Sequence, residues 1–498
     1  MFTKVNTVTI HGISAVNVEV QVCITPGIPC FHIVGLPDKI VAESKERVRS
    51  AITAVGMQFP PKRIVINLSP ANIAKVGSQY DLPIAIGIIC VLQQKKFERD
   101  ILDYILMGEL ALDGSVIHVA GVLPACIKAL NVGMGVICPW QNRIEARVSK
   151  NKKAIGIKHL NQVLDYLNRK SDYQQTEEKF YLEEENYPDM KDVKGQHLAK
   201  RAIEIAAAGG HNILMNGPPG TGKSMLAKRM PGIMPELSRQ EILEINLIAS
   251  VASQFDNTIY KSRPFREPHH SSSMPSIVGG RKFAQPGEIT LAHNGILFLD
   301  ELPEFSKQAL EALRQPMESG NITISRVNAK ITYPAKFQLV AAMNPCKCGY
   351  LGFCPEKQCK SFDRCGAEYQ NKISGPILDR IDMMVSLSNF NIFHTDSSRQ
   401  ESSAEIKKRV KKARCIQHDR YKNVNFDLNA HMDSESIQRF INLDKESLDV
   451  LKNLTEKNFL SMRKYNKLLK VARTIADLEH CRDVTKNHIM ESLSYNKL

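Results

Sequence analysis

Gly217-Pro218-Pro219-Gly220-Thr221-Gly222-Lys223-Ser224 restricts what this chain can fold into more than any other stretch. It has the spacing Gly, four residues, Gly-Lys-Ser/Thr, which works only as a tight turn from a buried strand into a new helix. Both flanks fit. Ile213-Leu214-Met215 reads as a short buried strand, and Met225 to Met230 has helical composition, with an expected stop at Pro231. Glycines let backbone N–H groups curl around an oxyanion, and the start of the helix adds positive potential. Lys223 is then placed to reach the β- and γ-phosphates of a nucleotide, and Ser224 to offer its hydroxyl to Mg²⁺.

The remaining parts of a phosphate-handling site are expected downstream. Ile296-Leu297-Phe298-Leu299 is an apolar run ending in Asp300-Glu301. Buried parallel strands look like this, and ligands gather at their carboxyl ends. Asp300 is suited to hold Mg²⁺ through water, and Glu301 to polarise an attacking water. A third run, Leu339-Val340-Ala341-Ala342-Met343, delivers Asn344, suited to orient water against the γ-phosphate. Alone, Asn344-Pro345 is only a turn signal.

With 498 residues, 43% hydrophobic and 24% charged, the chain has room for two or three domains with their own cores. Its net charge of +14 favours a polyanionic partner without proving one. Met1 to Asn6 lacks the apolar core of a signal peptide, and the longest apolar run, Leu82 to Leu92, is too short to cross a bilayer. A cytoplasmic location with no membrane partner is the expectation. Of the 12 cysteines, Cys346, Cys348, Cys354, Cys359 and Cys365 crowd one segment. That cluster reads as a local metal site, with free thiols as the alternative.

Residues 1–170 read as a separate α/β domain. Val16, Val18, Val20 and Val22 alternate with polar residues, the pattern of a half-buried strand. Asp38 is the expected N-cap of a helix with Val41, Val48, Ile52 and Val55 on its apolar stripe. Ile64 to Leu68 is a further strand and Pro83 to Leu92 a buried element. Residues 171–191 carry an acidic linker signal, with a charged surface helix as the alternative. In the core region, 192–390, the segment Arg263-Pro264-Phe265-Arg266-Glu267-Pro268-His269-His270 reads as a loop insertion facing a partner or a pore. Its arginines are free to meet phosphate, and its adjacent histidines point to opposite sides. Residues 391–498 are helical. There Lys407-Lys408-Arg409-Val410-Lys411-Lys412-Ala413-Arg414 is either a solvated face or a nucleic-acid contact, and Leu468, Leu469, Val471, Ala472, Ile475 and Leu478 form an amphipathic stripe.

Taken together, Gly217 to Ser224, Gly295 to Glu304, Asn344-Pro345-Cys346 and Ser374-Gly375-Pro376-Ile377-Leu378-Asp379-Arg380-Ile381-Asp382 resemble the magnesium-chelatase-like AAA+ ATPases. The closer resemblance is to the YifB/ComM branch, through Asp192-Val193-Lys194-Gly195-Gln196, Arg266-Glu267-Pro268-His269-His270 and Val471-Ala472-Arg473-Thr474-Ile475-Ala476-Asp477. Ile33 to Asp38 and Tyr80 to Ala85 extend it over nearly the whole chain.

The resemblance implies a Lon-protease-like α/β domain (ribosomal S5 domain 2-like), a P-loop AAA+ core with a parallel sheet, and a C-terminal helical lid, assembled as a hexamer. Ile84 stands where Lon-type proteases carry the nucleophilic serine, so no proteolysis is expected. Arg380 resembles the arginine finger that completes a neighbouring subunit's site. Arg463 aligns best with the sensor-2 arginine, and Arg473 is the runner-up. Cys346, Cys348, Cys359 and Cys365 match the family's cysteines best and are the candidate Zn²⁺ ligands. The implied function is an ATP- and Mg²⁺-dependent motor on single-stranded or branched DNA, serving branch migration in recombination or natural transformation. The alternatives are a protein-remodelling ATPase and, behind it, a metal-chelatase motor subunit.

Overall fold

The computed structural model describes residues 2–93, 97–172, 187–255, 258–280, 285–326, 329–349, 351, 362–388, 400–456 and 461–496. Its N-terminal part is built on strands β1 (Phe2–His11), β2 (Ser14–Thr25), β3 (Cys30–Val34), β4 (Arg63–Ser69), β5 (Tyr104–Leu106), β8 (Gly135–Pro139) and β9 (Ala154–Ile157). A small antiparallel ribbon, β6 (Glu109–Leu110) with β7 (Val116–Ile117), falls between them in sequence. The seven main strands lie in the order β3-β4-β2-β1-β5-β8-β9. β1, β2 and β4 pair antiparallel, whereas β3 and the β1-β5-β8-β9 run are parallel.

The valine alternation explains β2: Val18, Val20 and Val22 are buried, and Asn17, Glu19 and Gln21 face outward or sideways. Asp38 caps the helix Lys39–Ala54 by accepting from Val41 N at 2.8 Å, and Val41, Val48 and Ile52 are buried below it. The apolar run from Pro83 is the helix Asp81–Gln93, with Ile84 wholly inside. Asp81 opens that helix with its carboxylate fully buried. It is compensated by Arg47, whose Nε and Nη2 donate to its two oxygens at 2.6 and 3.1 Å.

The second sheet is parallel throughout. Its strands are β10 (Ile213–Asn216), β11 (Phe265–Arg266), β12 (Ile296–Leu299), β15 (Gln338–Met343) and β16 (Met383–Ser386), in the order β11-β12-β15-β10-β16. The hairpin β13 (Asn321–Arg326) and β14 (Ala329–Pro334) leads into β15. Period-2 alternation assigns each strand residue to a face. Ile213, Met215, Ile296, Phe298, Val340 and Ala342 join one core, shared with the helices His197–Gly209, Lys223–Ile233, Ser403–Arg420 and Met462–Leu478. Leu214, Leu297, Leu299, Leu339 and Ala341 join the other, with Leu310, Leu313, Ile322 and Ile324. Burial on both faces is why these strands read as continuous apolar runs.

One boundary differs from expectation. The helix after the glycine loop runs on through Pro231 to Ile233. A proline in the last turn removes a single backbone donor where the helix is about to end anyway, and Met234 N closes the turn on Pro231 O at 3.2 Å.

The C-terminal helices are Ser403–Arg420, Ser434–Phe440, Lys445–Glu456, Met462–Leu478 and Lys486–Ser494. The stripe from Leu468 to Leu478 is buried as its spacing predicts. Most of the expected linker falls on 173–186, outside the described residues, but its end is packed: Met190 is buried and Tyr187 donates to Arg263 O at 2.6 Å. The N-terminal part also touches the helix Arg239–Val251 directly. Gly121 N and Leu123 N donate to Ser250 O and Oγ at 3.1 and 3.3 Å, and Ser250 Oγ donates to the buried Glu145. Burial pushes the Glu145 carboxyl upward, against its hydrogen bonds from Ser250 and Asn142. No helix among the described residues is long and apolar enough to cross a membrane.

Arg47→Ala would leave the Asp81 charge buried and unpaired, at a cost of about 3–5 kcal/mol. The single tryptophan, Trp140, lies in this part of the chain. Its fluorescence in a urea titration should therefore show the early transition, and an unchanged midpoint would contradict the buried-pair account.

Candidate nucleotide site

Because the second sheet is parallel, the phosphate loop after β10, the acidic pair after β12 and the asparagine after β15 all leave from one end. Gly220 and Gly222 have φ of +80° and +88°, values that side chains with a Cβ rarely take. At Gly217 a Cβ would come within 2.6 Å of Leu387 O. Thr221 Oγ1 braces the loop by donating to Pro218 O at 2.9 Å.

The structure brings Lys223, Ser224, Asp300 and Asn344 together. Lys223 Nζ donates to Gly217 O, Pro218 O and Asn344 Oδ1 at 2.7, 2.9 and 3.1 Å. Ser224 Oγ donates to Asp300 Oδ2 at 2.7 Å, and Asp300 Oδ1 accepts from Glu301 N at 2.9 Å. Burial lowers the Lys223 ammonium from its ordinary value, opposed by the charges of Asp300 and Glu301. A hydroxyl and a carboxylate side by side are hard oxygen donors of the kind Mg²⁺ prefers. The left-handed loop beside them suits phosphate.

Glu301 sits in a left-handed conformation, φ +53°, with its side chain half exposed. Its Oε2 lies 3.3 Å from His270 Nδ1. Sequence reasoning missed this partner. It placed His269 and His270 on opposite sides of an extended segment, yet the segment turns here and the rings meet at a tilt, with centroids 4.1 Å apart. The arginines are not free either. Arg266 is bidentate on Glu288 at 2.6 and 2.9 Å, and Arg263 is buried on Pro235 O, Asn294 O and Glu241. The available signal was Phe265-Arg266 as a strand beside β12, but two residues are too few to show a period.

The remaining arginines fall elsewhere. Met383, which opens β16, pairs with Ile213 at the start of β10, whereas the phosphate loop follows the far end of β10. Arg380 precedes β16, so it lies at the opposite end of the sheet, roughly 13 Å of strand away. It pairs with Glu318 and donates to Pro376 O at 2.6 Å. Arg463 joins it there, with Nη1 on Asp379 Oδ2 at 2.7 Å and its side chain 76% exposed. Burial, then the neighbouring charges of Arg314 and Arg463, hold the Arg380 guanidinium below its usual value. Arg473, by contrast, is fully buried. Its nitrogens donate to Arg482 O at 2.6 Å, Cys481 O at 2.5 Å and Asp477 Oδ1 at 3.2 Å, which corrects its candidacy as a nucleotide sensor.

Among the cysteines, Cys346, Cys348 and Cys365 place their sulfurs within 4.8 Å of one another, and the first two are 3.0 Å apart. Cys354 and Cys359 lie outside the described residues. The turn that carries Cys346 and Cys348 leans on the phosphate loop, since a Cβ at Gly349 would meet Pro219 at 2.8 Å. Much of the basic run 407–414 is spent internally. Lys407 and Lys411 both reach Glu236 at 3.2 Å, Arg409 bridges Glu204 and Glu401, and Arg414 donates to Ala207 O. Lys411 and Lys407 hold the Glu236 carboxyl down to about 2. Lys408 and Lys412 remain exposed.

Comparison with known proteins decides the family. The family described as magnesium chelatase, subunit ChlI, matches residues 189–394, and two companion ChlI families match 18–142 and 400–496. YifB of Salmonella typhimurium, an uncharacterized protein, is 42% identical over 98% of this chain and 95% of its own length. Competence protein ComM of Haemophilus influenzae is 41% identical over 98% and 96%. The chain belongs to the YifB/ComM family of magnesium-chelatase-like AAA+ proteins. The 38 kDa magnesium-chelatase subunit of Rhodobacter capsulatus is more distant, 27% identical over 31% of this chain and 49% of its own length. ATP and Mg²⁺ are the ligands this membership implies, and the donor set around Ser224 and Asp300 fits them.

Arg473 and Arg463 should separate in a thermal melt. Arg473→Ala breaks a buried hydrogen-bonded pair, a loss on the order of 3–5 kcal/mol. Arg463→Ala removes an exposed ion pair worth about 0–1 kcal/mol. Equal melting temperatures for the two variants would contradict these assignments.

Proposed function

We propose that this protein is an ATP-hydrolysing AAA+ ring motor that acts on DNA. The observation carrying the ATPase part is the convergence of Lys223, Ser224, Asp300, Glu301 and Asn344 at the carboxyl ends of three parallel strands. In this reading Gly217 to Ser224 cradle the triphosphate. Ser224 and Asp300 would hold Mg²⁺, which would supply charge neutralisation at the phosphates. Glu301 accepts the proton of the attacking water, and Asn344 orients that water.

Ring assembly is supported by Arg380. A guanidinium at the far end of the sheet serves no phosphate of its own chain and suits that of a neighbour, where such a group is worth about 10³–10⁵ in rate. Arg463 belongs to the same far-end group, so its sensing role is toward the neighbour's nucleotide as well. A hexamer is the assembly proposed. Residues 1–170 are read as the Lon-like module, without proteolysis because Ile84 replaces the nucleophile; 192–390 as the ATPase core; and 391–498 as the lid. Activity is assigned to the cytoplasm.

The DNA part rests on the net charge of +14 and on the competence named for the Haemophilus influenzae relative, with branch migration as the activity proposed. Internal pairing of Arg263, Arg266 and most of 407–414 leaves less of that charge for phosphate than the sequence suggests. A protein-remodelling role is therefore the second reading. Zinc is proposed on Cys346, Cys348 and Cys365, with Cys359 as the fourth thiolate, because soft sulfur donors this close suit a closed structural site.

Purified protein is expected to hydrolyse ATP, and Lys223→Ala and Glu301→Gln are each expected to abolish turnover. Single-stranded or branched DNA should stimulate wild type several-fold, with stimulation falling as salt rises. Hydrolysis indifferent to every DNA would transfer the assignment to protein remodelling. For zinc, metal analysis is expected to find about one ion per chain, lost in Cys346→Ser; metal-free wild-type protein would rule the site out.

A further inference from the structure

The segment Arg266-Glu267-Pro268-His269-His270 has no role in the reading above, yet nearly every residue in it is fastened. Arg266 holds Glu288, and Glu267 pairs at 3.0 Å with Lys228 on the helix that begins at Lys223. His269 bonds Ser271 Oγ at 2.7 Å and packs its ring at a tilt against His270. His270 meets the buried Phe305 edge-on, with centroids 6.5 Å apart. The imidazole therefore lies between a second ring and a phenyl edge, an arrangement that aromatic rings favour. Its Nδ1 is the atom 3.3 Å from Glu301 Oε2.

We propose that His270 is a positioning residue for Glu301: its Nδ1–H fixes one carboxylate oxygen so that the other faces the attacking water. The need is physical. Glu301 is half exposed, and its carboxylate would otherwise sample several rotamers. A general base contributes only while it points at its proton. Among the described residues, the cations and donors around Glu301 are engaged elsewhere, which leaves this task to the imidazole. Asp300 is engaged with Ser224, and Lys223 with two carbonyls and Asn344. Lys372 reaches Glu304, and Lys228 reaches Glu267. The arrangement also gives the base a mechanical link to the nucleotide, because Glu267 ties the histidine segment to the helix that carries Lys223 and Ser224.

The inference rests on Glu301 being the base, and the test separates the two claims. Single-turnover and steady-state ATPase rates, with nucleotide affinity from a fluorescent ATP analogue, are measured for wild type, His270→Ala, His270→Asn, Glu301→Gln and His270→Ala/Glu301→Gln. His270→Ala is expected to lower kcat roughly 10- to 100-fold, the size of effect that misplacing a reacting group produces, with KM and affinity little changed. His270→Asn puts an amide N–H near the Nδ1 position and is expected to restore most of the rate. The double variant is expected to be no slower than Glu301→Gln, because two residues acting as one unit are non-additive. A kcat in His270→Ala equal to or above wild type overturns the proposal. So does lost nucleotide affinity in that variant, a failure of asparagine to rescue, or additive losses. If Glu301→Gln alone keeps turnover, the assignment of the base falls first and this inference with it.

Discussion

Parallel pairing of β10, β12 and β15 is the constraint on which the rest of the molecule depends. Parallel strands put their carboxyl ends on one edge, so Ser224 of the glycine loop meets Asp300, 76 residues on, and Lys223 meets Asn344, 121 residues on, within hydrogen-bond distance. Parallel strands also need crossovers, and the helices and insertions that supply them cover both faces with apolar side chains. The site thus follows from the connectivity. Its charge is arranged for a ligand: an ammonium lowered by burial and a carboxylate bonded to a hydroxyl gain when a magnesium–phosphate group takes their place between them.

The same geometry keeps Arg380 away from the phosphate loop of its own chain. β16 runs parallel to β10, so what precedes β16 lies at the end away from the phosphate loop. Arg380 and Arg463 are there, paired with Glu318 and Asp379. The charges of Arg314 and Arg463 both act on the Arg380 guanidinium there, opposed by Glu311.

Legibility in the sequence followed physical regularity. Strands buried on both faces, the Asp38 cap and the Leu468 to Leu478 stripe all carry strong local patterns and stand where those patterns put them. The phosphate loop was readable because its glycines are demanded by backbone conformation. What escaped was contact between distant residues. Nothing local says that Arg473 is swallowed by the carbonyls of Cys481 and Arg482, or that Lys407 and Lys411 converge on Glu236. His270 was misplaced because β11 is two residues long, and the turn after it depends on what β12 delivers.

The central claim, that hydrolysis needs Glu301 from one chain and Arg380 from the next, is tested most directly by mixing. Glu301→Gln and Arg380→Ala proteins, each inactive alone, are unfolded together, refolded as mixed rings and assayed for ATP hydrolysis. Roughly a quarter of interfaces in an equal mixture would then pair an intact Glu301 with an intact Arg380. The account predicts that activity reappears at about that fraction of the wild-type rate. Mixed rings that stay inactive, or an Arg380→Ala protein that is fully active alone, would contradict it.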